Sequence, residues 1–358
     1  MGKISSKHLF FLIASLTVVS IKTYPTIFTK LSGRDTWICL IFASIFIFFY
    51  FSFILFVYKK KCCYNFIEIY TSSLGKFLGS IFIGVFILNL FLTLTECASV
   101  EASAMNVNFL IYTRTWQLLL LTIPAAAYVV KRGYNAVLIS VLIGIFFISV
   151  SGVMLAIMTA KYKEYVRLLP ILEYGFNYKL LISTIKLIGA YASIAIILPL
   201  FCDVKDKKNI RLWGILGLLF VIQMQIFSML GNLSTFEIDI FNSMSYPKLI
   251  QTQLIRHFGF LEAGELFVML QIVGGWFIKL IVTLQVLMKI LEYYKLNRTS
   301  VLVAISIALF IAAYLCSRNL FTLFKLLDYY VYINFVNYVI IPLFVFFIFL
   351  LRPKKAVN

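Results

Sequence analysis

Continuous apolar runs recur along nearly the whole chain and constrain its fold more than any motif does. Residues 37–58 and 333–351 are the clearest, each long enough to cross a hydrocarbon layer of roughly 30 Å, which takes about 20 helical residues. In such a layer the backbone must satisfy its own polar groups, which leaves helices or closed barrels. Barrel strands would alternate over segments of about 10 residues, whereas these runs are unbroken. The composition agrees, since 62% of the 358 residues are hydrophobic and 13% charged, against about 25% charged in a soluble domain. We therefore expect an all-α polytopic membrane protein, with residues 1–358 forming a single transmembrane domain.

Charge clusters, prolines and glycines punctuate ten expected spans, at 8–29, 36–58, 77–105, 115–130, 134–159, 178–201, 210–231, 262–290, 299–317 and 330–351. Lys3 and Lys7 before an apolar stretch resemble a signal peptide, but no small-residue cleavage site follows, so 8–29 is read as the first span. Net charge is +18, from 32 Lys+Arg against 14 Asp+Glu. The basic clusters Lys59-Lys60-Lys61, Lys131-Arg132, 205–211 and Lys354-Lys355 lie between apolar runs. Under the positive-inside rule they place both termini in the cytoplasm. The charge thus reports topology beside a lipid bilayer, and no nucleic-acid partner is expected. Five spans precede the loop at 161–175 and five follow it, so the second half must enter from the opposite face. Residues 8–159 and 178–351 are accordingly expected to be five-helix halves of an inverted repeat.

Several chemistries are excluded by what is missing. Cys39, Cys62, Cys63, Cys97, Cys202 and Cys316 show no C-x-x-C spacing, and His8 and His257 are the only histidines. Neither a disulfide framework, a metal site nor a cofactor is expected. There is no phosphate loop and no His/Asp/Glu constellation, so the chain is read as no enzyme.

Ionisable and hydroxyl residues inside spans are expensive in lipid and so are functional suspects. The first span is interrupted by Ser15, Thr17, Ser20, Lys22, Thr23 and Pro25, either a binding break or hydroxyls bonding their own helix beside a proline kink. The sixth carries Lys186 and the run 189–193, for which binding and close helix packing are the competing accounts. In the third span Glu96 and Ser99 share a face with Thr95 beside them, while Glu101 is turned about 140° from Glu96. The eighth opens with Glu262 and Glu265 on one face, and Gly275, Lys279 and Thr283 form a second stripe. The glutamates also suit a helix N-terminus, and Lys279 bonding a backbone carbonyl is the bland alternative.

Ordered along the chain, several segments resemble the B subunits of spore nutrient germinant receptors. They are the run His8-Leu9-Phe10-Phe11-Leu12-Ile13, Pro25, and Gly33-Arg34-Asp35-Thr36-Trp37-Ile38. Further on come Leu168-Leu169-Pro170-Ile171-Leu172 with Gly175, then Tyr246-Pro247, and Phe260-Leu261-Glu262 with Glu265. That family is the endospore germination permease branch of the amino acid-polyamine-organocation superfamily. The resemblance implies a LeuT-like, five-plus-five fold with broken first and sixth helices. It also implies a place in the spore's inner membrane as the sensing subunit of a receptor with a larger membrane A subunit and a lipoprotein C subunit. A small nutrient, most often an amino acid, would bind among the first, third, sixth and eighth spans. On this sequence the candidates are Thr17, Val18, Ser20, Thr95, Glu96, Ser99, Tyr191, Ser193 and Thr283. Lys279 or Lys22 would stand where sodium-coupled relatives hold a cation. Where the family commonly has an arginine after the first glutamate of the eighth-span motif, this chain has Ala263, so the roles of Glu262 and Glu265 stay open. A proton- or sodium-coupled amino-acid transporter and an ion-conducting subunit are the alternatives.

Overall fold

The computed structural model describes residues 4–173, 175–255, 264–296 and 298–352. His257, Phe260, Leu261, Glu262, Ala263, Lys354 and Lys355, all singled out above, lie outside the described residues.

The described chain is helical from end to end, and its only extended pairing is an isolated bridge between Ile4 and Val204. The first expected span is not one helix. α1 (His8–Thr17) stops, α2 (Ser20–Thr23) makes a single turn, and α3 (Thr26–Ser32) resumes after Pro25. Pro25 supplies no N–H and holds φ near −64°, which suits the position just before a helix and ends the turn before it. α4 (Thr36–Lys61) ends on Lys59, Lys60 and Lys61, where the helix dipole favours cations, and Cys62 closes it at φ 55°.

α5 (Phe66–Leu74) is capped by Asn65, which accepts from the Ile67 amide at 3.2 Å. Gly75, at φ 84°, then turns the chain into α6 (Lys76–Asn108). α7 (Thr115–Lys131) and α8 (Tyr134–Met158) follow, joined at Gly133 with φ 90°. α9 (Tyr178–Tyr191) starts at an Asn177 cap, and at Ala192 it tightens into a 3-10 segment, Ala192–Asp203, without unwinding. α10 (Ile210–Leu233) is followed by two short helices, α11 (Ile238–Ser243) and α12 (Pro247–Gln253). α13 (Gly264–Tyr293), α14 (Thr299–Ser317) and α15 (Leu320–Asn334) come next. A π-helical stretch, Phe335–Ile340, leads from α15 into α16 (Ile341–Leu351).

Among the described residues the expected spans thus fall largely on helix, the first of them interrupted. Eight helices among the described residues are long and apolar enough to cross a membrane, while His8–Thr23 and Thr115–Lys131 are shorter apolar helices. The tenth begins ten residues earlier than the hydropathy pattern placed it, because Lys325 and Asp328 interrupt the apolar run without interrupting the helix.

α13 is central, packing against α1, α6, α7 and α8. Small residues permit the close approaches. A Cβ on Gly275 of α13 would lie 2.2 Å from the Val19 side chain at the break in the first span. One on Gly189 of α9 would lie 1.9 Å from the Val331 carbonyl oxygen of α15. For Gly189, close packing is therefore sufficient explanation. At the basic end of the bundle the N-terminal segment is pinned: the Ile4 amide donates to the Asp203 carbonyl at 3.1 Å and the Lys205 amide to the Ile4 carbonyl at 2.8 Å. Beside this, Asp203 accepts from Lys289 at 3.0 Å and from the Tyr134 hydroxyl at 2.9 Å.

Gly189→Ala must separate two helix backbones and is expected to destabilise the protein by about 1–3 kcal/mol. Gly84→Ala, with nothing within 4 Å of the added methyl, gains up to about 1 kcal/mol of helix propensity. Thermal unfolding of both variants in nanodiscs checks the contrast.

Candidate functional site

The interruption of the first span leaves two carbonyls without the usual helical donors, and the rest of the protein supplies substitutes. Ser193, at the point where the sixth span tightens, donates from Oγ to the Leu16 carbonyl at 3.0 Å. Gln225 of α10 donates from Nε2 to the Thr17 carbonyl at 2.7 Å. Two separate elements therefore hold the break, and an unmade bond there would cost several kcal/mol in lipid.

One turn further on is a buried ion pair. Lys279 Nζ lies 2.7 Å from Glu96 Oε2, and each side chain is only 1% exposed. Both oxygens of Glu96 are fully engaged. Oε1 accepts from Ser20 Oγ at 3.1 Å and from the Tyr24 hydroxyl at 2.5 Å, and Oε2 accepts from Lys279 and from the Tyr330 hydroxyl at 2.9 Å. That is the full complement a carboxylate can take. Lys279 also donates to Ser20 Oγ at 2.7 Å and sits 5.0 Å from the centre of the Trp276 ring, which in turn stacks on Tyr24. The cation is thus held by a carboxylate, a hydroxyl and an aromatic face. From Tyr330 the polar chain continues to Thr93 at 2.9 Å and on to Tyr338 at 3.2 Å, with Asn89 donating to Asn334 at 3.0 Å beside it.

Of the residues expected from sequence, the structure joins Ser20, Glu96 and Lys279 into this one cluster. Ser193 and Thr17 meet the break through the backbone bonds already described, and Val18 is buried within it. The hydroxyls of Thr17, Thr95, Ser99 and Thr283 are turned onto carbonyls of their own helices, at 2.7, 3.0, 2.6 and 2.7 Å. This is the local bonding weighed as the alternative for such residues. Tyr191 points away from the cluster to Ser44 of α4, with 3.1 Å between the hydroxyls. Lys22 faces Gln271 Oε1 at 3.4 Å on the other side of the break. Lys186 pairs with Asp328 at 2.5 Å. Glu265 lies in the first turn of α13, and it has no ion-pair partner among the described residues. Glu101 is buried with one partner among the described residues, Thr122, at 3.3 Å, and its second oxygen has none among them.

Tyr24, Thr93, Trp276, Tyr330 and Gln225 belong to the site and were not among the expected residues. A signal did exist for part of this set. Tyr330, Asn334 and Tyr338 recur every fourth residue on one face of the tenth span.

A helical membrane protein whose first span breaks beside a buried ion pair is organised like a transporter. The family comparison makes this specific: a family model described as spore germination protein, the spore permeases, matches residues 3–321. The chain belongs to the spore germination permease family. Comparison with curated proteins gives no match.

Removing one partner of a buried pair strands the other charge, so Lys279→Met and Glu96→Leu are each expected to cost about 3–5 kcal/mol. The double variant Glu96→Leu/Lys279→Met removes both charges and should regain most of that loss. Unfolding of the three variants in nanodiscs gives the coupling energy directly.

Proposed function

We propose that this protein is the nutrient-sensing, transporter-like B subunit of a spore germinant receptor. On this reading it lies in the spore's inner membrane with both termini cytoplasmic, its ten spans forming two inverted five-helix halves. It works with an A and a C subunit. The observation that carries the proposal is the Glu96–Lys279 pair clamped to Ser20 at the break in the first span.

A free amino acid carries one ammonium and one carboxylate. Inserted between Glu96 and Lys279, it gives each a new partner, with no change in net charge and no charge left bare. Ser20 and the buried, non-helical backbone around Val18 would offer the polar contacts that a zwitterion needs. Rotation of Thr17, Thr95, Ser99, Ser193 and Thr283 away from their local carbonyls would supply further hydroxyls, with Tyr191 closing the far side. Because Ser20 and Tyr24 belong to the broken span and Glu96, Lys279 and Tyr330 to three other helices, such an exchange repositions four elements together. A ligand that prefers the exchanged arrangement biases the whole subunit toward it, and the attached subunits with it.

Coupled amino-acid transport is the second reading, favoured by Glu101. A buried carboxyl with one neutral partner and no ion-pair partner among the described residues is the type of group through which a transporter takes up and releases a proton.

Deleting this gene should abolish spore germination in response to one nutrient in a panel of single amino acids and sugars. The wild-type gene should restore it, and Lys279→Met, present at wild-type level in the spore membrane, should not. Normal germination of the deletion spores, with reduced uptake of a labelled amino acid by growing cells, would instead establish the transporter reading.

A further inference from the structure

On the other side of the break from Glu96, between α8 and α10, lies a cavity of about 620 Å³. Lys22 reaches it from α2, Lys248 from α12 and Lys163 from the segment after α8, and Gln271 of α13 forms part of its wall. Among the described residues each ammonium has only a neutral oxygen beside it. Lys22 faces Gln271 Oε1 at 3.4 Å, Lys248 donates to Gln251 Oε1 at 2.7 Å, and Lys163 donates to the Ala156 carbonyl at 3.2 Å. No carboxylate lines the cavity among the described residues.

Three other helix lysines offer a contrast. Lys186, Lys279 and Lys289 pair with Asp328, Glu96 and Asp203. Lys22 is 8% exposed and has no acid partner among the described residues. Burial and the neighbouring Lys163 also push the Lys248 ammonium, outside the spans, down to about 8. Clustered cations in an apolar setting are unfavourable until an anion joins them. The remaining wall is mostly apolar, and Val153, Ile157 and Phe227 are each 60% exposed or more, so the cavity opens sideways as well as toward the loops. Its volume lies within the usual range for small-ligand sites, roughly 300–1,000 Å³.

We infer that this cavity is a binding site for an anionic oxygen group, a carboxylate or phosphate, held jointly by Lys22, Lys163 and Lys248. The inference does not rest on the germinant-receptor reading. Two sources carry this chemistry, a dissolved anion arriving through the loops and the headgroup of an anionic lipid arriving from the side. Because Lys22 belongs to the same one-turn helix as Ser20, an occupant here would bear on the segment that clamps the Glu96–Lys279 pair.

The test is the melting temperature of the full chain in phosphatidylcholine nanodiscs at constant chloride. L-glutamate, inorganic phosphate or phosphatidylglycerol in the disc is then added separately. At least one addition should raise the melting temperature by several degrees. Lys22→Met and Lys248→Met should each melt higher than wild type without anion, since a repelling charge is gone, and should lose the response. Lys179→Met, an exposed lysine at the start of α9, should keep it. A response to glutamate or phosphate in phosphatidylcholine assigns the site to a dissolved anion, and one confined to phosphatidylglycerol discs assigns it to a lipid headgroup. The inference fails if none of the three probes stabilises the wild type, or if both variants melt lower than wild type and respond as it does.

Discussion

A carboxylate and an ammonium facing each other where water is excluded must stay together, and much of this structure follows from keeping Glu96 and Lys279 paired. Their attraction is strong because the surroundings are poorly polarisable, and separation is costly for the same reason. The sequence meets that constraint with dedicated neighbours. Ser20 and Tyr24 come from a segment that could not present them if the first span were one regular helix. Tyr330 comes from a helix that closes over the third span, and Trp276 from one turn below Lys279. The break in the first span and the ion pair are thus two parts of one solution. The break turns Ser20 toward Glu96, and the pair gives the displaced turn something to hold.

Bringing the broken span this close to α13 needs room. Gly275 provides it, since any side chain there would occupy the space of Val19. The carbonyls released by the break are then answered by Ser193 and Gln225, from two further helices. Packing and polar satisfaction therefore converge on the same few residues, 16–20, and a change in any of the surrounding helices is felt there.

The helices were legible because apolar run length and charge punctuation are direct consequences of the bilayer. The break was legible too, since few sequences place Ser, Thr, Lys and Pro within one apolar run. Glu96 and Lys279 stood out as charges where charges are costly. Their aromatic partners did not. With 21 Tyr and 36 Phe in the chain, a functional tyrosine is hidden among structural ones, and only its hydroxyl's position in space distinguishes it. The hydroxyl residues show the opposite error. Thr17, Thr95, Ser99 and Thr283 looked available, yet a Ser or Thr in a helix has a carbonyl of the preceding turn within reach and, in lipid, no water competing for it. The Lys22 cavity depends on Lys163 and Lys248, both in connecting segments whose approach to the first span has no signature in the sequence.

The two sides of the broken span differ in how each would hold an occupant. Toward Glu96 both carboxylate oxygens and the Lys279 ammonium are already bonded, so an occupant must displace existing bonds and gains only the difference between old partners and new. Toward Lys22 the cations face neutral oxygens, so an occupant adds attraction without first breaking an ion pair. The first side favours discrimination, because only a molecule with both charges correctly placed can replace a pair without stranding one. The second favours affinity with little selectivity. A single helical turn, Ser20–Thr23, carries both Ser20 and Lys22, so an anion held on one side alters the position from which the other side must reorganise. Coupling of this type needs no long pathway, only one short element shared by two sites and unable to satisfy both in a single position.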